Sequence, residues 1–148
     1  MTNTTDSPLS VPRADISLAG AGVVLDATID AATAMGVAVC LVVCDAGGNV
    51  VASARMDGAP ILSLQIATDK AWTVAVFNGV PTSAWWGMIE AEPPLVHGIT
   101  HTPRLVVFGG GEALRIDGRL VGAIGVSGGS SAQDAELAGA GARALLGA

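Results

Sequence analysis

Residues 37–55 read VAVCLVVCDAGGNVVASAR and contain two β-rich runs on either side of a glycine-rich turn. This pattern predicts a β-hairpin. The first run, residues 37–44, is apolar at every position, so we expect a strand that is buried on both faces. Cys40 and Cys44, the only cysteines, lie in this run about 13 Å apart at ~3.3 Å per residue, so they cannot form a disulfide with each other. We interpret them as buried free thiols.

The elements around this hairpin predict an α+β fold. Apolar spacing and turn residues predict four helices, over residues 17–35, 61–77, 82–90 and 130–146, and three more strands, over residues 104–108, 113–116 and 120–128. Gly36 is a helix stop, Asp117-Gly118 is a hairpin turn, and Ser130 with Gln133 forms a capping box. Parallel neighbours would need a crossover between each pair of strands. The order α-β-β-α-α-β-β-β-α therefore predicts a five-stranded antiparallel sheet with helices packed on it.

The length of 148 residues is that of one domain. Residues 1–14 are polar, contain two prolines and have no apolar run, which predicts a flexible N-terminal tail rather than a signal peptide. We therefore expect a single domain over residues 15–148 and a cytoplasmic protein.

Composition restricts the partners of the chain. Mean hydropathy is +0.58, yet the longest unbroken apolar stretch, residues 37–44, is far too short to span a bilayer. We therefore expect no membrane partner and assign the apolar surplus to a homo-oligomer. The net charge of −6 and only seven Lys and Arg residues oppose nucleic-acid binding. A small-molecule ligand is the better candidate.

Four segments together resemble the GlcG/HbpS family, a haem-binding or haem-degrading domain family also found as the C-terminal domain of PduO. They are RMDGA at residues 55–59, AxxKA at residues 67–71, GGG at residues 109–111, and GAIGVSGG at residues 122–129 followed by Gln133-Asp134. The resemblance implies an α+β fold, oligomers, and binding of haem, corrinoid-related or other small ligands.

The chain departs from this family directly after the glycine run. Glu112 and Ala113 stand where the family usually has an apolar residue and then proline. An unpaired buried carboxylate is costly, so Glu112 argues against a standard haem pocket. It is equally consistent with a specialised enzyme.

Lys70 lies within an apolar helix, where a lysine either extends to water or pairs with a carboxylate such as Asp57. Arg55 and Asp57 end a strand just before that helix, where loops commonly form pockets. We treat the three residues as one predicted cluster, which either supports the fold or holds a ligand.

His97 and His101 have the i, i+4 spacing of a helical metal pair, but Pro94 and Pro103 bracket them and no third ligand is obvious. We therefore predict no metal site. A neutral histidine here can act as a general base or as an axial ligand of haem iron, or it can be structural.

Glycines and tryptophans complete the candidate set. Gly109, Gly110 and Gly111 let a ligand or another backbone approach closely. Trp85 and Trp86 either cover a flat ligand or fill a subunit interface. The turn at residues 127–131 opens the last helix, so its N–H groups either hold a carboxylate or are simply capped.

Two functions remain open. The first is haem or tetrapyrrole binding, with His97 or His101 near the iron. The second is a small catabolic isomerase, lyase or hydratase acting on an anionic molecule, with His101, Glu112 and Lys70 as catalytic residues. For either function the predicted ligand contacts are Arg55, Asp57, His97, Arg104, Gly109, Gly110, Gly111 and Trp85. We expect His101, Arg104 or Glu112 to line the same pocket as Arg55 and Lys70.

Overall fold

The computed structural model describes residues 9–148, in which four antiparallel strands form one sheet in the order β2-β1-β4-β3. The strands are β1 (Cys40–Asp45), β2 (Val50–Arg55), β3 (Gly111–Ile116) and β4 (Arg119–Ser127). The helices are α1 (Leu18–Met35), α2 (Leu62–Val76), α3 (Trp85–Ile89), α4 (Pro93–Ile99) and α5 (Ser131–Leu146), and Thr82–Ala84 is a 3₁₀ turn.

Helices cover both faces of the sheet. Leu41 and Val43 of β1 point into a core shared with α1 and α5, while Cys40, Val42 and Cys44 point into a core shared with α2. This alternation follows from the two-residue period of a strand and confirms that β1 is buried on both faces. Both cysteines are free and buried, and burial raises the pKa of Cys44 to about 12, which keeps it a thiol.

The predicted strand over residues 104–108 is wrong, so the sheet has four strands instead of five. Arg104 has φ 67 in a turn, and residues 105–108 do not join the sheet. The N–H of Val106 donates instead to Oγ1 of Thr73 on α2, 3.1 Å away. The Thr73 side chain therefore accepts a hydrogen bond that, in a sheet, the backbone carbonyl of a neighbouring strand would accept.

Two further boundaries differ from the prediction. β3 begins at Gly111, two residues early, so Glu112 is a strand residue. The helix α4 is not among the four predicted helices. It begins with Pro93 and Pro94, because proline fits the first turn of a helix, where no N–H partner is lost.

The local signals at chain reversals are confirmed. Gly36 has φ 75 and closes α1 through its N–H to the Ala32 carbonyl. Asp117 and Gly118 have φ 52 and 76 in the β3–β4 turn. Ser130 and Gln133 form both hydrogen bonds of the capping box that starts α5.

The predicted tail, residues 1–14, lies partly outside the described residues. From residue 9 to residue 17 the chain has no helix or strand. Ala14 packs against the hydrophobic core. The Oδ1 of Asp15 accepts the Ala46 N–H at 3.1 Å, and the N–H of Ile16 donates to the Val121 carbonyl at 2.8 Å.

Among the helices of residues 9–148, only α1 is long and apolar enough to cross a membrane by length and composition. In this fold, however, one stripe of α1 packs on the sheet and α5. Its buried members are Ala21, Val24, Thr28 and Ala32. Its pattern is therefore that of an amphipathic core helix.

Candidate functional site

Lys70, the only lysine of the chain, is completely buried on α2. Its Nζ donates to the Val126 carbonyl at 2.8 Å and to Oδ2 of Asp134 at 3.1 Å. The Phe108 ring lies over it, with the ring centroid 5.0 Å from Nζ. Burial lowers the pKa of Lys70, and the charge and hydrogen bond of Asp134 oppose this shift. The ammonium group thus has two oxygen acceptors and an aromatic face for its three donors.

The carboxylate that holds Lys70 is Asp134 and not Asp57, so that part of the predicted cluster is wrong. Asp134 lies in the first turn of α5, and its Oδ1 also accepts the Gly129 N–H at 2.9 Å. Asp57 is exposed in the turn after β2. The end of β4 lies beside Lys70, and α5 begins only a few residues later, which brings Asp134 to the lysine.

The glycine run makes room for the protein's own atoms. Gly110 has φ 130, and a Cβ placed there would lie 2.5 Å from Nζ of Lys70. A Cβ on Gly111 would lie 2.8 Å from the Lys70 carbonyl oxygen, and one on Gly109 would lie 2.7 Å from the Ser131 carbonyl oxygen. Close packing of backbone and of the lysine therefore accounts for all three glycines.

An aromatic groove of about 290 Å³ lies on the outer side of this cluster. It is lined by Ser83, Trp86, Val107, Phe108, Gly109, Ser131, Ala132 and Ala135. The Trp86 and Phe108 side chains are half-exposed, at 56% and 49%. The groove thus combines two accessible aromatic rings with the first turn of α5.

Trp85, the predicted ligand contact, is buried instead. Its ring packs on Phe77 with a centroid distance of 4.6 Å, and its Nε1–H has no partner within residues 9–148. Adjacent residues of a helix point in different directions, so burying Trp85 leaves Trp86 at the surface. The sequence does not distinguish which of the two rings, Trp85 or Trp86, covers a ligand.

Arg55 and Asp57 line the same groove, but this groove does not contain Lys70, the third member of the predicted cluster. They border a groove of about 400 Å³ with Ala54, Met56 and Ile29 of α1. Both side chains are exposed. Lys70 has no exposed surface and takes no part in this groove.

Glu112 borders a third space, here called the edge groove, of about 340 Å³ between β3 and α5. Its lining residues are Glu112, Ala113, Arg115, Gly139, Ala142, Arg143 and Leu146. Burial raises the pKa of the half-buried Glu112, and the Ala113 backbone and the Arg143 charge oppose the rise. The edge groove shares no residue with the groove of Arg55, so the prediction of one pocket for both is wrong.

The remaining predicted residues are exposed. His97 lies in the last turn of α4 and His101 in the turn that follows. Arg104 is held by the protein: its Nε is 3.1 Å from Oδ1 of Asp69, and its guanidinium lies 4.6 Å from the Trp72 ring centroid.

Comparison with known proteins gives a consistent family. A family model described as haem degrading protein HbpS-like matches residues 16–143. A 15.0 kDa protein encoded between dhaT and dhaS in Citrobacter freundii is 35% identical over 129 residues, which cover 84% of this chain and 88% of that protein.

Solved structures agree with the family model. The crystal structure of the Klebsiella pneumoniae protein ORFY is similar with a TM-score of 0.84 and 30% identity, over 100% of this chain and 99% of that one. The crystal structure of a PduOC:heme complex is similar with a TM-score of 0.77 and 29% identity, over 88% and 94% of the two chains. The chain therefore belongs to the haem-degrading, HbpS-like family.

Proposed function

We propose that the protein binds haem or a related tetrapyrrole in the aromatic groove. Family membership and the similarity to a PduOC:heme complex support this class of ligand. On this chain, the observation that carries the proposal is the pair of half-exposed rings, Trp86 and Phe108, beside the start of α5.

The groove has the chemistry of a flat, amphipathic ligand. Trp86 and Phe108 offer ring faces for stacking, and Val107 adds apolar surface. The N–H groups of Ser131 and Ala132, in the first turn of the 16-residue helix α5, have no partner within residues 9–148. The positive end of a helix favours a carboxylate such as a haem propionate.

The size of the groove fits part of a macrocycle. At about 290 Å³ it is at the lower limit of ordinary ligand sites, roughly 300–1,000 Å³. One edge of the tetrapyrrole would enter, and the rest would face solvent or a second subunit.

His97 and His101 are the candidates for an axial ligand. Both histidines are exposed, and in the sequence both lie between α3, which carries Trp86, and Phe108. A neutral imidazole nitrogen is a common protein ligand of haem iron. When bound, haem would supply a redox-active iron, while the protein supplies stacking, anion binding and the imidazole.

A haem titration followed through the Soret band tests the proposal. We expect the wild type to shift the band and Trp86→Ala to weaken binding at least tenfold, about 1.4 kcal/mol. Ile116→Ala, which truncates a half-exposed residue outside the groove, is the matched control and should bind as the wild type does. Either His97→Ala or His101→Ala should alter the Soret position and lower affinity at least tenfold, with the melting temperature within a few degrees.

Two results would contradict it. A wild type that leaves the Soret band unchanged is not a haem-binding protein. Equal affinities of Trp86→Ala and Ile116→Ala would place the ligand outside the aromatic groove.

We also infer a homo-oligomer that uses exposed apolar residues at the end of α2 and on α3, one of which, Trp86, also lines this groove. Val76, Phe77, Trp86 and Met88 are large apolar residues with exposed fractions of 41–56%. Surfaces of this kind usually mark interaction sites. Light scattering at micromolar concentration should give a multiple of the 14.6 kDa chain mass, and a monomer would contradict the inference.

A further inference from the structure

We propose that the edge groove is a second ligand site, which takes a zwitterionic α-amino acid with an apolar side chain. The groove shares no residue with the aromatic groove, so this inference does not depend on haem binding. It rests on the charges, the shape and the unused hydrogen-bonding groups of residues from β3 and α5.

Two arginines of the edge groove have donors to spare. Within residues 9–148, Arg143 forms no side-chain hydrogen bond and no ion pair. Arg115 forms one long hydrogen bond, from Nη1 to the Gly118 carbonyl at 3.4 Å. A guanidinium fork matches the two oxygens of a carboxylate. A ligand carboxylate is therefore the complement of this side of the groove.

Glu112 supplies the opposite charge in the same groove. Its carboxyl group is half-buried and forms no ion pair within 4.0 Å in the described part of the chain. Desolvation by burial disfavours its ionised form and raises the pKa of Glu112, and the charge of Arg143 offsets this rise only in part. A ligand ammonium group beside Glu112 would provide a cation in direct contact, which Glu112 does not have within residues 9–148. Two positive groups and one negative group thus match a carboxylate joined to an ammonium.

The floor of the groove has room for an apolar side chain. Gly139 and Ala142 of α5 are small, and Leu146 adds apolar surface. A Cβ on Gly139 would lie 3.1 Å from Nη1 of Arg143, so glycine leaves space for the guanidinium above the helix. Glycine costs about 1 kcal/mol inside a helix relative to alanine, and this space is a physical reason for it.

Arg143 also borders a neighbouring groove that contains Glu136, two helical turns earlier. The two side chains form no ion pair in the described residues. Arg143 is therefore not already neutralised by the acid on its own helix.

Three small molecules test the inference on the wild-type protein. We expect L-phenylalanine to bind, observed by calorimetry or NMR shifts. L-phenylalaninamide, which lacks the carboxylate, and 3-phenylpropionate, which lacks the ammonium, should each bind at least tenfold more weakly. Equal binding of all three, or no binding of L-phenylalanine at millimolar concentration, would overturn the proposal.

Variants assign the two charges separately. Arg143→Ala should weaken both L-phenylalanine and 3-phenylpropionate about tenfold. Glu112→Gln should weaken L-phenylalanine but not 3-phenylpropionate. Arg119→Ala, an exposed arginine outside the groove, is the matched control and should change neither.

Haem titration of Arg143→Ala separates the two proposals. The titration curve of this variant should match the wild-type curve, whether or not the wild type binds haem. If Arg143→Ala binds L-phenylalanine as well as Arg119→Ala does, the amino acid lies elsewhere and the edge groove is not its site.

Discussion

The Lys70–Asp134 pair and the edge groove around Glu112 each place charge inside an apolar fold, with opposite outcomes. The buried pair is closed: Lys70 has no exposed surface, and its ammonium has partners on all sides. The edge groove is open, with a half-buried Glu112 and an Arg143 that has no ion-pair partner within residues 9–148. Both were candidate catalytic positions by sequence, and the structure separates them by whether the protein itself satisfies the charge.

This difference gives a rule for assigning roles. A buried charge whose donors are all used stabilises one arrangement of the chain and has little left to offer a ligand. A charge at the rim of a groove, with hydrogen-bonding groups unused, keeps its capacity for binding. We therefore assign Lys70 to the fold and propose Glu112 for a ligand site.

The largest expected effect is that of Lys70→Met on stability. Loss of the ammonium leaves the Asp134 carboxylate buried without a counter-charge, which typically costs about 3–5 kcal/mol. Chemical denaturation should show this loss. Arg13→Ala, which breaks the exposed Arg13–Asp15 pair, is the control and should cost under about 1 kcal/mol. A Lys70→Met variant within 1 kcal/mol of the wild type would contradict the structural role.

The next effect is that of Gly110→Ala. A Cβ there would meet Nζ of Lys70 at 2.5 Å, and φ 130 disfavours any residue but glycine. Overpacking and backbone strain each cost about 1–3 kcal/mol, so we expect a loss of at least about 2 kcal/mol in the free energy of unfolding. Gly22→Ala in α1, where nothing lies within 4 Å of the new Cβ, should instead gain up to about 1 kcal/mol. Equal effects of the two substitutions would show that the buried pair is not tightly packed.

The smallest effect is the pH dependence of Glu112→Gln. The folded-state pKa of Glu112 is raised above its ordinary value of 4.5, so its ionisation costs stability as pH rises from 4.5 through the folded-state pKa. Glu112→Gln should therefore unfold at a higher temperature than the wild type at pH 8, and this advantage should vanish below about pH 4. A difference that is the same at both pH values would exclude ionisation of Glu112 as its cause.

Local signals in the sequence predicted the fold well, because their physics involves near neighbours. The stop at Gly36 and the capping box at Ser130 each depend on residues within one helical turn. Residues 104–108 show the limit: their composition is that of a strand, but Thr73, about thirty residues earlier, takes the Val106 N–H. Local composition does not determine which partner a backbone group finds.

The sequence predicted the type of residue that pairs with Lys70, but not which residue it is. A carboxylate for Lys70 was expected, but the chain has 13 acidic residues, and the true partner is 64 positions away. Arg143 was missed because, in sequence, it is an ordinary basic residue near a helix end. Only the packing of α5 against β3 places it beside Glu112.

Amine labelling most directly tests the claim that Lys70 and Asp134 form a closed, structural pair, because the chain has no other lysine. The protein would be treated with an acylating reagent under native conditions and in denaturant, and the peptide containing Lys70 followed by mass spectrometry. If Lys70 belongs to a closed pair, the native protein should label at that peptide far more slowly than the unfolded chain, at a rate set by unfolding. Labelling of native Lys70 at the rate of the unfolded chain would contradict the account and return this residue to the candidate catalytic groups.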